Sequence, residues 1–394
     1  MNIKRLLATI LGFVLVLPLA GCATGTEQSS DSSYPQNNEA SDLVEAENQM
    51  SIYPRDGEKI ILANDEVYNW WKNYNDSNPV PDGGYKYADV YFPKPLTFSW
   101  KENKKVDYYN VFISTDKDFP KEKTETYVVN TNSLTVSHLY TDTEYYWKVL
   151  CSESVGTVEE KLDVTVVDVS SFTIAQSPRF LTVEGVSNTR DIGGIVTADG
   201  KKIKQGLVYR GGKLDDITES GKDFMLGSLG IKTDLDLRTP GEGSAGAVSP
   251  LGNEVYYVNI DGRYYTGSMG ITNADGKAAF AEEIRLFANP VNYPVYIHCS
   301  LGRDRTGTLA MVLEALVGVE KEELFREYNL SIFSQPGTKG EVDAARAALV
   351  STYDYINTFL GNSFAEKTEN YLLSIGVTSA EIQSIKAILL GEAK

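Results

Sequence analysis

Sulfur and imidazole are scarce in this chain, whose 394 residues include three Cys and two His. Three cysteines make a poor disulfide framework of the kind that supports small secreted domains. Any folded part must therefore depend on its hydrophobic core. The 42% of hydrophobic residues and 11% of aromatics supply enough apolar material for such cores, which argues against global disorder.

Positive charge is also in short supply. The 37 Lys and Arg are outnumbered by 54 Asp and Glu, which gives a formal net charge of −17. Duplex binding needs clustered cations that displace counterions, so this composition argues against a nucleic-acid partner. An anionic substrate would have to be attracted by local charge instead.

Long apolar runs are missing after the N-terminus. There, Lys4 and Arg5 precede an apolar stretch, 6–17, that is short for a transmembrane helix, and a small-residue cleavage site ends at Cys22. This pattern resembles a bacterial lipoprotein signal, with residues 1–21 as the signal peptide. The resemblance implies a secreted, extracytoplasmic protein anchored to the bacterial membrane through lipid on Cys22. The alternative is an ordinary signal peptide with an incidental cysteine.

The next two segments differ sharply in composition and residue pattern. Residues 22–50 consist largely of Ser, Asn, Gln, Glu and Asp, which cannot bury enough surface to offset the entropy of ordering. They predict a flexible tether. Residues 51–170 contain short runs with period-two alternation or aromatic enrichment, separated by turn residues, and this favours an antiparallel β-sandwich.

The sandwich segment resembles a fibronectin type III domain in three runs, 96–100, 109–114 and 139–149. The resemblance implies core positions for Trp100 and Tyr145, which the alternation also predicts. A possible role for such a domain is to bind a cell-surface partner. Cys151 follows an apolar run and is predicted to be a small buried hydrophobe.

Residues 175–394 alternate between strand-like and helix-like pieces, which predicts an α/β domain with a largely parallel sheet. The chain is thus expected to be multidomain, with an all-β sandwich followed by an α/β domain. Strands are expected at 206–210, 233–238, 255–260 and 294–298, and helices at 277–288, 306–317, 321–328 and 366–373.

The segment HCSLGRDRTG, from His298 to Gly307, lies between a predicted strand and a predicted helix. A loop in that place gathers backbone N–H groups around one point, and the helix N-terminus adds positive partial charge. Gly302 lets the backbone approach an anion closely, and the Arg305 guanidinium can grip two phosphate oxygens. The predicted phosphate-binding residues are Ser300, Leu301, Gly302, Arg303, Asp304 and Arg305.

A cysteine at the floor of this cradle sits in the same positive field. The field predicts a lowered pKa for Cys299 and a thiolate, which is the form that attacks. Reaction with a phosphate ester would give a phosphocysteine. His298 is expected to orient the loop, and the Thr306 hydroxyl to donate to the thiolate and ease its departure. No metal or cofactor is expected.

The spacing Cys-x5-Arg-Thr resembles the signature of the protein-tyrosine phosphatase superfamily, in which these positions have those roles. Further motifs in the same order resemble the bacterial tyrosine phosphatases, some of which act on lipids: 188–194, 208–212, and 234–238 with Glu242. The sequence departs from that group at Arg303, where the group usually has Lys. Arginine keeps the charge but is bulkier and forked, which puts any specificity tied to the lysine in doubt.

Five further charged residues are candidates for supporting roles. Arg190 and Asp191 precede two glycines and are predicted to form a structural ion pair that buttresses the loop. Arg210 lies at a strand end beside two glycines, either as a second phosphate contact or as a surface charge. Asp236 and Arg238 alternate onto one face of a strand, where they would pair with each other or support the loop arginines.

The general acid that protonates the leaving oxygen has two candidates. Asp261 follows a predicted strand and enters a glycine-bounded segment, which is where the superfamily usually carries its acid on a closing loop. Asp304 lies in the signature loop itself, and related phosphatases with Asp-Arg-Thr use that position in some cases. The residues alone leave both open.

Three functions remain open for the chain. Hydrolysis of protein phosphotyrosine would need a deep pocket with an aromatic wall, which Tyr264 and Tyr265 could supply. A phosphoinositide or inositol phosphate substrate would suit the extra cation Arg303. The third is a surface-binding or adhesion protein with a catalytically weak phosphatase domain, against which the intact Cys299 and Arg305 count.

Overall fold

The computed structural model describes residues 52–76, 79, 90–101, 106, 108–154, 161–262, 270–334 and 338–393. The predicted signal peptide, Cys22 and the predicted tether lie outside these ranges. Within them, no helix has the length and apolar character needed to cross a bilayer.

The described part between residues 52 and 174 is mostly β-structure. One sheet has five strands in the order β1-β7-β6-β3-β4, and a second sheet pairs β2 with β5 antiparallel. Only β1 and β7 pair parallel in the larger sheet. The strands are β1 (Glu58–Ile60), β2 (Leu96–Ser99), β3 (Tyr109–Ser114), β4 (Thr124–Val129), β5 (Ser133–Val136), β6 (Thr143–Ser154) and β7 (Lys161–Ile174).

The two sheets share one hydrophobic core. Phe98 of β2 packs edge-on against Trp147 of β6 and Phe172 of β7, with ring centroids 5.1 and 5.5 Å apart. Trp100, Tyr145 and Cys151 are buried as predicted. Alternate residues enter the core because successive side chains of a strand point to opposite faces. Membership of the fibronectin type III family stays a prediction.

A helix and a short segment ahead of β2 pack against the C-terminal part of the chain. Helix α1 (Asp65–Lys72) is capped by the Asn64 side chain, which accepts a hydrogen bond from the Glu66 amide. Trp70 of α1 packs on Phe333, and Tyr91 packs on Phe180 with ring centroids 4.9 Å apart. The first described segments are therefore built into the α/β part as well as into the N-terminal sheets.

The C-terminal part contains a sheet of six strands in the order β12-β11-β13-β10-β9-β8. The four strands at the β12 side run parallel, and β9 and β8 are antiparallel to their neighbours. The predicted mixed α/β domain is therefore confirmed. Its strands are β8 (Arg179–Phe180), β9 (Arg190–Asp191), β10 (Val208–Gly211), β11 (Thr233–Asp236), β12 (Tyr256–Asn259) and β13 (Val295–His298).

Helices accompany this sheet. Their bounds are α2 (Glu219–Asp223), α3 (Ala274–Leu286), α4 (Asp304–Leu316), α5 (Lys321–Asn329), α6 (Lys339–Ile356), α7 (Phe364–Ser374) and α8 (Ser379–Leu389). Helix α4 is buried along almost its whole length, so its nearly continuous apolar sequence forms the centre of the domain core. Helices α6 and α8 have no counterpart among the predicted helices, although each begins with a Thr-x-x-Glu capping box.

Candidate active site

The signature loop joins β13 to α4 at the carboxyl ends of the parallel strands. Its backbone passes close to the end of β10, where Gly211 is in register with His298. Gly302 has a φ of +67°, and a Cβ at this position would lie 2.2 Å from the Gly211 carbonyl oxygen. Only glycine fits both the left-handed conformation and this close approach.

Three successive carbonyl groups of the loop are hydrogen-bonded away from its centre. The Ser300 carbonyl accepts from the Lys213 amide at 3.2 Å, the Leu301 carbonyl from the Asn188 side chain at 3.0 Å, and the Gly302 carbonyl from Arg210 at 2.8 Å. In a trans peptide the C=O and the following N–H point in opposite directions. The amides of residues 301–303 therefore face the other side, as an anion cradle requires.

Cys299 lies at the base of this loop and is 3% exposed. Burial opposes ionisation of its thiol, but the positive charge of Arg305 and hydrogen bonds from the Thr306 hydroxyl and amide outweigh burial, so the pKa of Cys299 is lowered despite the nearby Asp304 carboxylate. The arrangement favours the thiolate.

Arg305 is held by Glu242, a residue to which the sequence analysis assigned no role. Arg305 donates from Nη1 and Nη2 to the two Glu242 oxygens at 2.8 and 2.9 Å, and the Ser300 hydroxyl donates to the same carboxylate. The Arg305 hydrogen bonds, more than any other contact, lower the pKa of Glu242 to about 2. Glu242 therefore stays charged at neutral pH and fixes the guanidinium beside the loop.

His298, the residue that precedes Cys299, is fully buried. Its Nε2 lies 2.9 Å from Asp234 Oδ1, its ring stacks on Tyr296, and its Nδ1 lies 3.4 Å from the Cys299 carbonyl oxygen. Burial opposes the charged ring, but the Asp234 carboxylate outweighs burial, and the pKa of His298 is raised. This residue contacts the backbone of the loop, which fits the predicted orienting role.

Arg210 is neither a surface charge nor aimed at a phosphate in the cradle. It is fully buried and donates to Glu327. Its Nη2 also donates to the carbonyl oxygens of Gly302 at 2.8 Å and Arg303 at 3.4 Å. Arg210 therefore supports the signature loop from behind.

Arg190 and Asp191 do not pair with each other, contrary to the prediction. Arg190 donates from Nε to Glu327 at 2.7 Å, whereas Asp191 accepts from Arg179 at 2.5 Å and from the Gly206 amide at 2.6 Å. The reason is that consecutive residues of a strand point to opposite faces of the sheet. Arg190 nevertheless contributes to the support of the loop, because Glu327 accepts hydrogen bonds from both Arg190 and Arg210.

Asp236 and Arg238 pair with each other, which was one of the two predicted alternatives. Arg238 donates from Nε and Nη2 to the two Asp236 oxygens, both at 2.9 Å, and from Nη1 to Asp215 at 2.8 Å. All three groups lie beside the signature strand, on neighbouring β11 and the loops around it.

The two candidate acids have different surroundings. Asp304 accepts hydrogen bonds from Arg303 on both oxygens, at 2.8 and 3.2 Å, and from the Tyr328 hydroxyl at 3.3 Å. Asp261 accepts from the Thr239 hydroxyl at 3.0 Å. It lies two residues before the segment 263–269, which is outside the described residues and includes the predicted pocket tyrosines Tyr264 and Tyr265.

Glu327 is the central buried anion behind the loop. Burial alone would favour its neutral form, but Arg190 and Arg210 together lower its pKa. Burial and the nearby charge of Glu327 raise the pKa of Glu314, on α4, well above its usual value. Glu327 is thus the carboxylate that neutralises both arginines.

We expect Glu327→Gln to destabilise the protein by about 3 kcal/mol or more, because two buried guanidinium groups lose their anion. The free energy of unfolding from urea titration measures this. The matched control is Glu323→Gln, which breaks a partly exposed pair with Arg326 and should cost less than about 1 kcal/mol. Equal losses in the two variants would contradict the role given to Glu327.

Within the described ranges, no group of three or more His, Cys, Asp or Glu side chains is arranged to hold a metal ion. The charged residues near the loop are instead paired with one another. The cations among them are Arg190, Arg210, Arg238, Arg303 and Arg305.

The mixed α/β sheet, with an anion cradle between a central strand and the helix that follows it, defines this protein as a phosphatase. The chain belongs to the tyrosine phosphatase family, whose model matches residues 181–391. A tyrosine-protein phosphatase of Nostoc commune is 26% identical over 227 residues, which cover 46% of this chain and 72% of the relative. A similarly named protein of Cupriavidus necator is 26% identical over 185 residues, or 39% of this chain and 67% of the relative.

Among solved structures, the comparison finds TpbA of P. aeruginosa in complex with pTyr. The alignment has a TM-score of 0.30 and 17% sequence identity, and it covers 45% of this chain and 91% of TpbA.

Proposed function

We propose that this protein hydrolyses phosphotyrosine in proteins through a phosphocysteine intermediate on Cys299. The observation that carries the proposal is the position of Cys299, which is buried at the base of the cradle between β13 and α4; the charge of Arg305 lowers its pKa there. A thiolate in that place is a nucleophile directed at the site where the phosphate would be bound. Membership of the tyrosine phosphatase family supports the same reading.

The reaction proceeds in two displacements. Cys299 Sγ attacks phosphorus, and the phosphorus–oxygen bond to the tyrosine breaks as the leaving oxygen takes a proton from the general acid. Water then attacks the phosphocysteine and gives a proton to the carboxylate that the general acid became in the first step. The sulfur leaves as thiolate, and inorganic phosphate departs. The loop amides and Arg305 stabilise the charge on the equatorial oxygens in both steps, and the Thr306 hydroxyl stabilises the departing thiolate.

The general acid in this proposal is Asp261. Both oxygens of Asp304 are engaged by the Arg303 guanidinium, so proton donation by Asp304 would require that pair to break. Asp261, which accepts a hydrogen bond from the Thr239 hydroxyl, leads into the segment that the superfamily resemblance associates with a closing loop.

Comparison of Asp261→Asn with Asp304→Asn tests this choice. On a phosphotyrosine peptide, whose leaving group is poor, Asp261→Asn should slow kcat by on the order of a hundredfold. On an aryl phosphate with a very good leaving group the loss should be much smaller, because little protonation is needed. If Asp261→Asn slows both substrates equally, or neither, the role passes to Asp304.

The choice of phosphotyrosine over a phosphoinositide rests on the charges at the cradle's edge. Arg303, the extra cation that would suit a polyanionic headgroup, is 7% exposed and paired with Asp304. Steady-state kinetics on phosphotyrosine peptides, phosphoserine peptides and phosphoinositides, with chelator present, test the proposal. The highest kcat/KM is expected for phosphotyrosine, and a preference for a phosphoinositide would overturn the substrate assignment.

We further propose that the protein is a lipoprotein held at the outer side of a bacterial membrane by Cys22, with a fibronectin type III-like domain available for a surface partner. The basic residues, the apolar stretch and the small-residue cleavage site ahead of Cys22 support this. Cys22→Ser should release the protein or leave it unprocessed, as fractionation and lipid labelling would report. Lipid labelling that survives the substitution would disprove the anchor.

A further inference from the structure

A groove of about 520 Å³ opens directly beside the signature loop. Ser300 and Leu301, the two residues that follow the nucleophile, form one side of it, and Phe92 and Val183 contribute to the rest of its lining. Leu301 is 38% exposed and Phe92 is 44% exposed, so the groove presents two large apolar side chains to solvent at the edge of the catalytic loop. Exposed apolar surface at such a place is typical of a binding site.

Phe92 reaches the groove from outside the region that matches the phosphatase family, which begins at residue 181. The neighbouring Tyr91 fixes this segment: it is fully buried, its ring packs on Phe180, and its hydroxyl donates to the Val186 carbonyl at 3.3 Å. The Phe92 ring centroid lies 4.6 Å from that of Tyr91. The N-terminal part of the chain thus supplies a wall of the groove.

Another part of the groove's lining, residues 183–186, is a tight turn with little freedom. The Val186 amide donates to the Val183 carbonyl at 3.0 Å, and Gly185 has a φ of +84°. A Cβ on Gly185 would lie 2.0 Å from the Asp216 carbonyl oxygen, so the turn is packed directly against the neighbouring loop. A wall of this kind is formed before a ligand arrives, which reduces the entropic cost of binding.

The charges of the groove do not suit a polyanion. Lys213, the one cation among the described residues that line the groove, lies 2.9 Å from an Asp216 oxygen and 3.6 Å from an Asp215 oxygen. Glu184 lines the groove as well. Acidic groups therefore outnumber the cation at this edge, and an inositol ring with further phosphates would meet like charge here.

We propose that this groove binds the polypeptide beside the phosphotyrosine of a protein substrate, and that Phe92 selects an apolar side chain next to the phosphorylated residue. The inference rests on the proposed phosphotyrosine activity. With the phosphate held over Cys299, the groove begins at the next two residues of the same loop, so a chain that extends from the phosphotyrosine on this side enters it. An apolar side chain in contact with Phe92 and Leu301 would be buried away from water, and it would place no charge near Glu184 or Asp216.

The test compares two phosphotyrosine peptides, one with apolar and one with acidic flanking residues, alongside a small aryl phosphate. The variants are Phe92→Ala and Phe92→Lys. The matched control is Tyr108→Ala, which removes an aromatic side chain that is 56% exposed and does not line the groove. Thermal melting verifies that each variant is folded.

We expect Phe92→Ala to lower kcat/KM for the apolar peptide by roughly five- to tenfold, the range for losing part of one buried aromatic contact. The aryl phosphate should change by less than about twofold, since its hydrolysis uses only the cradle. Phe92→Lys should lower the apolar peptide similarly and raise the acidic peptide several-fold, a gain that misfolding cannot produce.

Two results would overturn the inference and leave the catalytic proposal intact. One is that Phe92→Ala and Tyr108→Ala have equal effects on the peptides. The other is that the native protein hydrolyses the aryl phosphate but shows no preference between the two peptides. Faster hydrolysis of a soluble inositol phosphate than of either peptide would also overturn it. Failure of the catalytic proposal gives a different result, because turnover of the aryl phosphate would then survive Cys299→Ser.

Discussion

Cys299→Ser abolishes turnover of every phosphate monoester. We expect kcat to fall by roughly 10⁴-fold or more, which is the usual effect of removing a catalytic nucleophile. A serine hydroxyl at the same position stays protonated at neutral pH, whereas the pKa of Cys299 is lowered by Arg305 and Thr306 against the effect of burial. The loop amides and Arg305 remain in place, so the variant should still bind phosphate esters. Initial rates and equilibrium binding of a phosphotyrosine peptide measure the two properties separately.

Cys151 provides the control. It is fully buried in the core of the N-terminal sheets, far along the chain from the signature loop. Cys151→Ala should leave kcat nearly unchanged, although it removes a sulfur from a packed core and lowers the melting temperature. Substantial turnover in Cys299→Ser, or its loss in a folded Cys151→Ala variant, would contradict the assignment of the nucleophile.

Arg305→Lys should reduce kcat/KM by on the order of 10² to 10³-fold, the usual cost of removing a preorganised donor from a developing anion. Lysine keeps the charge but cannot form the fork with which Arg305 meets both Glu242 oxygens. The ammonium would be held less firmly beside the loop and could not grip two phosphate oxygens. Charge at the Cys299 thiol would be less well stabilised as well, so the acidic limb of the pH–rate profile should move to higher pH.

The matched control for this variant is Arg346→Lys. Arg346 lies on α6 and donates to the Asp76 side chain at 2.7 Å, in an ion pair that has no contact with the signature loop. Its replacement by lysine should leave kcat/KM within about twofold, as expected for a partly exposed pair. A loss below about tenfold in Arg305→Lys would show that Arg305 does not contact the phosphate.

The catalytic loop could be predicted because its parts are contiguous in the sequence. The apolar strand, the segment from Cys299 to Arg305 and the apolar helix follow one another directly, and local geometry then places the amides and the helix N-terminus around one point. The strands of the α/β part were predictable for a similar reason, since their apolar runs are short and bounded by turn residues.

The supports of the loop could not be predicted, because their partners are distant in sequence. Glu327 lies on α5 and meets Arg190 and Arg210 only after the helix packs behind the sheet. Nothing in the local pattern around Glu327 distinguishes it from the other acids of a charged helix. Arg190 and Asp191 illustrate the converse error, since adjacency in sequence suggested a pair that the alternation of a strand prevents.

The place of Phe92 in the groove could not be predicted from the sequence either. Phe92 stands in a short segment with Val90 and Tyr91, before the first run that resembled a fibronectin domain, and its place in the groove depends on the packing of Tyr91 against Phe180. The sequence analysis placed the start of the α/β domain at residue 175, which leaves Phe92 outside it. Because α1 and residues 90–92 pack on the α/β part, removal of the chain before residue 175 should lower the stability of that part.

The central claim, a phosphocysteine on Cys299, is tested most directly by trapping the intermediate. The native protein is mixed with a labelled aryl phosphate, quenched in acid within one turnover, digested, and the modified peptide identified by mass spectrometry. The account predicts a phosphoryl group on the peptide that contains Cys299, absent in Cys299→Ser and longer-lived when Thr306 is replaced by Ala. Burst kinetics with the phosphoryl group on any other residue, or turnover with no labelled protein at any quench time, would contradict it.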